Sequence, residues 1–376
     1  MGSVLISACH AENNTSHEQQ QNAVHTQVTL SQHFKVNKIS ELNEPWAMVV
    51  LPDQRLLITQ KSGSLLLFTP QTRQKIAVHG VPDVAYGGQG GLGDVVLHPD
   101  FQQNHVLYLS YAEAGEGGYG AVVIRAVLDE TQPNQPKLTQ IKPIWRQVPK
   151  VSGQGHYAHR LLFDDAGKLW ISSGERQKFQ PAQDLHSNLG KIIRLNEDGS
   201  VADGNPFMQQ GPIAAQVWSL GHRNPLGMAF DPQGQLWVAE MGPRGGDELN
   251  RIHKAANYGY PIVSNGDHYS GRDIPDHATR PEFQAPELSW TPVISPSSLM
   301  FYRGKQFPQW RNKALISGLS SQAIIVVDTQ KQPVQEVQRI DMQQRIRSLV
   351  EASDGSIWGI EDGKHAALFQ LTAPKS

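Results

Sequence analysis

Two stretches decide the fold: FDDAGKLWIS at 163–172 and FDPQGQLWVA at 230–239. Each places an apolar residue before an Asp-led turn that contains Gly, then alternates apolar residues from the Leu-Trp pair onward. Asp supplies local hydrogen bonds and Gly the positive φ that a tight hairpin needs. Alternation at period two reads as a half-buried strand. The phrase recurs as VLPDQRLLIT (50–59), LHPDFQQNHVLYLS (97–110), FPQWRNKALIS (307–317) and EASDGSIWGI (351–360). A further strand-like run follows each copy: SLLLF (64–68), AVVIRAVL (121–128), KIIRLN (191–196), ELNRI (248–252), AIIVVDT (323–329) and AALFQLT (366–372). Six copies of about 57 residues match the period of propeller blades, with room for about four short strands each. The expectation is an all-β fold: a six-bladed β-propeller of four-stranded antiparallel blades over residues 34–376.

Composition agrees. The chain has 376 residues with Gly 34 and Pro 24, and both residues interrupt helices. Lys+Arg 33 against Asp+Glu 35 leaves a formal charge of -2, so there is no basic excess for nucleic acid, which is not expected as a partner. No apolar run is long enough for a membrane-spanning helix.

Cys9 is the single cysteine, so no intramolecular disulfide forms. It ends LISAC (5–9), which resembles a bacterial lipobox, the site where a signal peptide is cleaved and its Cys acylated. Residues 10–33 are rich in Gln, Asn, His, Ser and Thr and read as a tether. Residues 1–33 are therefore expected to be a residual lipoprotein signal and flexible tether. The expected location is the periplasm, with a lipid anchor at Cys9 in the outer membrane.

Several loops carry chemistry-bearing residues. GGQGGLGD (87–94) satisfies G-x-G-x-x-G, but no βαβ pattern surrounds it, so it reads as a tight loop with Gln89 as its one amide side chain. SGQGHYAHRLLF (152–163) sets His156 and His159 just before a strand, where an imidazole is a natural proton acceptor at neutral pH. SLGHRNPLGMAF (219–230) clusters Arg223 and Asn224, a donor set suited to a multiply acidic small molecule. AEMGPRGGDELN (239–250) offers the carbonyls of Gly242 and Pro243 and the carboxylates of Asp247 and Glu248, oxygen ligands of the kind calcium takes. Asp267 in NYGYPIVSNGD (257–267) is a further ligand candidate. In QQRIRSLV (343–350), Arg345 and Arg347 alternate around Ile346, which in a strand puts both on one face. Two such cations repel unless an anion sits between them. Serine-elbow, zinc-protease and Cys-His signatures are absent from the sequence.

Taken together, LNEPWAMVVLPDQRLLITQKSG (42–63), GGQGGLGDVVLHPDF (87–101), GHYAHRLLF (155–163), GKIIRLNEDGS (190–200), VWSLGHRNPLGMAF (217–230), EMGPRGGDELN (240–250), NYGYP (257–261) and RIRSLVEASDG (345–355) resemble the soluble quinoprotein sugar dehydrogenases of the glucose/sorbosone dehydrogenase family. Within it they are most similar to the PQQ-dependent aldose sugar dehydrogenases. The resemblance implies a six-bladed propeller with PQQ and Ca²⁺ on its axis, an aldose substrate oxidised at the anomeric hydroxyl to a lactone, and an artificial or respiratory electron acceptor. It implies His156 as catalytic base. It implies cofactor contacts from Gln89, Arg223, Asn224, Arg345 and Arg347, and substrate contacts from Gln89 and Arg176. It implies calcium held by the Gly242 and Pro243 carbonyls, and a second, structural calcium near Glu248, the Tyr258 carbonyl and Asp267.

Three positions depart from that pattern. Gly155 stands where soluble glucose dehydrogenases carry Asp, Arg176 where they carry Gln, and Ser320 where a PQQ-contacting Lys is usual. The first two imply a more open or differently charged sugar pocket, and the third weaker holding of the trianionic cofactor. Two other functions fit a propeller: a calcium-dependent lactonase-type hydrolase, which needs several acidic ligands converging on the axis, and a non-enzymatic envelope protein that binds a glycan or another protein.

Overall fold

The computed structural model describes residues 34–374. Cys9 and the tether lie outside these residues. The recurring turn works as its chemistry predicts. Asp164 Oδ1 accepts the backbone N–H groups of Ala166 (3.0 Å) and Lys168 (2.8 Å), while Oδ2 accepts Trp170 Nε1–H at 2.8 Å. Asp231 repeats the set with Gln233, Gln235 and Trp237, each at 2.9 Å. Gly167 and Gly234 hold φ +72° and +79° with open space around them, so conformation alone requires glycine there.

Each such hairpin joins the first two strands of a blade, and the strands form six four-stranded antiparallel sheets. The first blade is Pro45–Val50, Leu56–Gln60, Ser64–Thr69 and Gln74–Val78. The second is Leu92–Leu97, Val106–Gly115, Gly118–Asp129 and Lys137–Arg146. The third is Ala158–Phe163, Leu169–Ser173, Lys191–Leu195 and Val217–Leu220. The fourth is Pro225–Phe230, Leu236–Glu240, Asp247–Arg251 and Leu288–Trp290. The fifth is Pro296–Phe301, Ala314–Gly318, Ala323–Asp328 and Gln335–Asp341. The sixth takes Ile346–Glu351, Ile357–Glu361 and Ala366–Thr372 from the end of the chain and Lys35–Leu42 from its beginning. Lys35 pairs with Thr372 and Leu42 with Ala366, so the last blade is shared by both ends of the described chain. The first strand of every blade packs on the first strand of the next, and the sixth returns to the first. The apolar core lies in sheet-on-sheet layers between successive blades.

One irregularity recurs in all six first strands. The register shifts near the strand start, at Pro45/Ala47, Leu92/Val95, Ala158/Leu161, Pro225/Gly227, Pro296/Ser298 and Ile346/Ser348. A bulge frees residues from the ladder and re-aims their side chains. The freed residues are Trp46, Gly93, Asp94, His159, Arg160, Leu226, Ser297 and Arg347. They face the same end of the ring as the ends of the second strands, and the candidate site is built there.

Candidate active site

A cleft of about 280 Å³ opens at this end of the propeller axis. It is lined by residues from the starts of first strands, the ends of second strands and the loop between the first two blades: Trp46, Lys61, Gln89, Tyr157, His159, Met241, Arg345, Arg347 and Asp362 among them. Its floor is tied by one side chain. Arg160 is buried, stacks on Trp46 with its guanidinium carbon 3.9 Å from the ring centroid, and reaches four other blades. It donates from Nε to Leu226 O at 2.7 Å, from an amino group to Ser297 O at 2.6 Å, and pairs with buried Asp94 at 3.4 Å. Burial raises the Asp94 carboxyl and lowers Arg160 to about 10, and each partner opposes the other's shift. Beside them His159 stacks on Trp46 and bonds Ser110 Oγ, and burial drives it down to about 3, a neutral ring. A Cβ on Gly93 would stand 1.9 Å from the His159 ring, so glycine at this position makes room for the imidazole.

His156 lies just behind the cleft-lining residues Tyr157 and Gln89 and does not itself line the cleft; it is 6% exposed, with a left-handed backbone at φ +48°. Gln89, which lines the cleft, accepts its backbone N–H at 2.7 Å. Its Nδ1 lies 2.5 Å from Oε1 of fully buried Glu175. That carboxylate also accepts the N–H groups of Gln177 (2.9 Å) and Phe179 (2.7 Å). Glu175 therefore fixes the proton on Nδ1 and leaves Nε2 as the acceptor. Nε2 has no protein partner among the described residues and is not sealed from solvent. Burial, joined by Arg223 and Arg176, outweighs the pull of Glu175 and sets the His156 pKa below its ordinary value. The ring is thus a neutral base at pH 7. Burial works against the Glu175 charge, but its bond to His156 prevails and holds its carboxyl below the usual range.

Opposite in character is the sixth-blade wall. Arg345 and Arg347 do meet at one place, by a route other than strand alternation: Arg345 precedes the strand and Arg347 is its bulged residue. The anion between them is in the chain. Asp362 bonds Arg345 Nε at 2.9 Å and Arg347 through Nε at 2.9 Å and an amino group at 2.5 Å. Burial opposes its charge, but the two arginines prevail and hold the Asp362 carboxyl below its ordinary value.

Arg223 and Asn224 are buried at the start of the fourth blade. Arg223 donates to Met241 O (3.0 Å) and Gly242 O (2.7 Å), yet its Nε has no partner, and neither has Asn224 Oδ1. Gly242, Pro243, Glu248 and Tyr258 line one small cavity of about 10 Å³ together with Glu240. Glu248 pairs across strands with Glu240 and faces His277 Nε2 at 3.4 Å; burial, with Glu240 adding to it, raises its pKa. Asp267 is not among these lining residues: its Oδ1 accepts Ile274 N–H at 3.3 Å. Among the described residues, no three or more His, Cys, Asp or Glu side chains converge as a metal cluster, and backbone carbonyls are the main oxygen donors here.

One sequence expectation changes. Arg176, expected at the sugar, is 1% exposed, and all three of its guanidinium nitrogens donate to backbone carbonyls, of Gly155, Tyr119 and Gly153; like His156 it lies behind the residues that line the cleft. Ser320 is exposed beside the cleft residue Leu319 and bonds Ser295 Oγ at 2.8 Å. Glu175, Asp362, Asp94 and Arg160 went unread in the sequence. A signal for two of them was present: with the six hairpins aligned, Lys61, Glu175, Met241, Leu319 and Asp362 all fall one or two places after the end of a second strand.

The glucose/sorbosone dehydrogenase profile matches residues 42–370. The chain belongs to that family. It is 38% identical to an aldose sugar dehydrogenase of Escherichia coli over 340 residues, 88% of this chain and 91% of that one. The crystal structure of the soluble Escherichia coli aldose sugar dehydrogenase in the apo form superposes with a TM-score of 0.84 at 37% identity, over 91% of this chain and all of that one. The PQQ-bound aldose sugar dehydrogenase of Streptomyces coelicolor superposes with a TM-score of 0.74 at 26% identity, over 91% of this chain and 98% of that one. In this sugar dehydrogenase the His156–Glu175 pair, the arginine wall and the two unpaired buried polar atoms, Arg223 Nε and Asn224 Oδ1, lie towards the end of the axis where the six bulges converge.

Proposed function

We propose that this chain is a PQQ- and calcium-dependent aldose sugar dehydrogenase that oxidises the anomeric hydroxyl to a lactone, with His156 as general base. The observation that carries the reading is the His156–Glu175 pair beside a cleft whose other wall is cationic. The residues suit a polyanionic, hydrogen-bonding cofactor. Arg345 and Arg347, held side by side by Asp362, supply positive charge, with the Arg345 amino groups free of protein partners among the described residues, and Gln89 supplies an amide. Arg223 Nε and Asn224 Oδ1 supply buried groups that are costly to leave unpaired. The Gly242 and Pro243 carbonyls suit Ca²⁺, and the cavity they share with Glu248 and the Tyr258 backbone suits a second ion.

Bound there, PQQ supplies the hydride acceptor and Ca²⁺ the Lewis acidity. The chain supplies the rest. Oxidation takes a hydride from C1 and a proton from its hydroxyl, so that the C1–O bond becomes a carbonyl. His156 Nε2 takes the proton, and the imidazolium that results is stabilised by Glu175 at Nδ1. Gln89 and Arg176 hold the backbone on either side of the base. Arg160 and His159 floor the site and exclude water from below.

The test titrates the cofactor-free protein with PQQ and Ca²⁺ and follows the cofactor spectrum, then dye reduction with a panel of aldoses. Sugar-dependent reduction in wild type, and binding without reduction in His156→Ala, is the expected result. No PQQ binding at micromolar concentration with calcium present sinks the reading, and leaves a glycan- or protein-binding propeller.

The location follows from the tail: we infer a periplasmic protein anchored by acylation of Cys9. Incorporation of labelled palmitate into the full-length chain, lost in Cys9→Ser, is the check.

A further inference from the structure

The loop that carries the base has an unusual backbone. His156, Ala158 and His159 all adopt positive φ, +48°, +56° and +53°. The loop facing it repeats this at Arg176, Gln177 and Phe179, at +62°, +58° and +63°. L-residues persist in such conformations only where surrounding contacts over-determine them, and they cluster at functional sites. Several side chains supply the contacts: Gln89 accepts the His156 N–H, Ser110 Oγ donates to His159 O, Glu175 accepts the Gln177 and Phe179 N–H groups, and Arg176 fixes the residues just before the base. Arg176 donates from Nε to Gly155 O at 2.8 Å and from its two amino groups to Tyr119 O at 2.6 Å and Gly153 O at 2.5 Å. Its guanidinium carbon lies 3.7 Å above the Tyr157 ring, and its own backbone N–H donates to His156 O at 3.2 Å.

The fork therefore grips residues 153 and 155 just before the base, the ring of residue 157 just after it, and residue 119 in the neighbouring blade. Lysine cannot reproduce this, because a point charge has no rigid planar fork. Gly155 belongs to the same arrangement. A Cβ at that position would meet the Gln177 side-chain amide, with Oε1 at 2.4 Å, so a larger residue there would have to displace Gln177.

We propose that Arg176 is a positioning residue: it ties the His156 loop to the second blade and holds the base in its left-handed pose, and it does not contact the sugar. The proposal rests on the reading of His156 as base. The ionised groups that face His156 are Glu175, Arg223 and Arg176. Removing Arg176 takes away one of the two cations that oppose protonation of the ring, so the acid limb of the pH profile moves to higher pH.

The experiment compares Arg176→Met, Arg176→Lys and His156→Ala with wild type, all loaded with PQQ and Ca²⁺. A misplaced base should lower kcat on the order of 100-fold. The sugar KM and the PQQ affinity should stay within about 3-fold of wild type, since no binding contact is removed. Arg176→Lys keeps the charge, so its acid limb stays in place while kcat still falls; it also serves if Arg176→Met fails to fold. A readout independent of turnover is the pH dependence of diethyl pyrocarbonate modification at His156 in the cofactor-free protein, followed by peptide mass. Its midpoint should rise in Arg176→Met and hold in Arg176→Lys. A raised KM with unchanged kcat would overturn the proposal and return Arg176 to the sugar. Unchanged kcat and modification profile in both variants would overturn it as well. Full activity in His156→Ala would instead overturn the assignment of the base.

Discussion

Glu175→Gln tests the site at its most buried point. The substitution keeps shape and volume but removes a charge 2.5 Å from His156 Nδ1. Two unit charges about 4 Å apart interact by about 4 kcal/mol at an effective dielectric of about 20. That interaction stabilises the imidazolium that forms as the sugar proton is taken. A neutral amide oxygen still accepts the Nδ1 proton and recovers about 1 kcal/mol. The net loss of about 3 kcal/mol lowers kcat roughly 100-fold. The pH profile moves in a defined direction. Glu175 is the group that raises the His156 pKa against burial, Arg223 and Arg176. Without it the pKa falls further, so the acid limb shifts to lower pH while the plateau drops. Folding suffers separately. The carboxylate accepts N–H groups from Gln177 and Phe179, and the new NH₂ must face one of them. A donor left opposite a donor costs about 1–3 kcal/mol, read as a fall in Tm. The assay is dye-linked aldose oxidation across pH with thermal melts alongside. A plateau within about 3-fold of wild type, or an acid limb that moves up, refutes the pairing as the source of the base.

Other expectations follow from the same contacts. Arg160→Met strands buried Asp94, and an uncompensated buried charge costs about 3–5 kcal/mol; a melt within 2 °C of wild type would contradict this. Arg347→Ala removes the half-buried fork at the cationic wall and should weaken PQQ binding by about 10- to 100-fold, whereas Arg345→Ala, the more exposed partner, should weaken it less. Titration by cofactor absorbance ranks the two. Ser320→Lys places a cation beside Leu319 at the cleft edge and should tighten PQQ binding by about 10-fold, with the gain shrinking as salt is raised. An affinity equal to wild type at low salt would mean that Ser320 does not face the cofactor.

Much of the fold was legible because its signals are local. A hairpin needs only an Asp, a Gly and period-two alternation within about ten residues, and FDDAGKLWIS and FDPQGQLWVA contain all three. His156, Gln89, Arg223 and Asn224 were legible as chemistry because they sit in polar loops beside those hairpins. The pair Arg345 and Arg347 was legible too, together with the requirement for an anion between them. Not legible was that the requirement is met by Asp362, one residue past the end of the next strand of the same blade.

By itself the sequence determined the blade count, the antiparallel hairpins and the set of residues able to bind an anion or take a proton. Turn chemistry and strand alternation act over a few residues, so they can be read in order along the chain. The tertiary structure decided which of those residues share a site. The closing strand Lys35–Leu42 pairs with Ala366–Thr372 across the whole chain, and no local pattern marks that partner. The six bulges turn Trp46, Arg160 and Arg347 to one end of the axis, because each first strand is packed between two others and the freed residue has only the centre to enter. Glu175 and Arg176 are adjacent in sequence, yet one orients the imidazole and the other grips the backbone beneath it. Their φ angles and the carbonyls within reach made that division, and those exist only once the third blade is folded against the second.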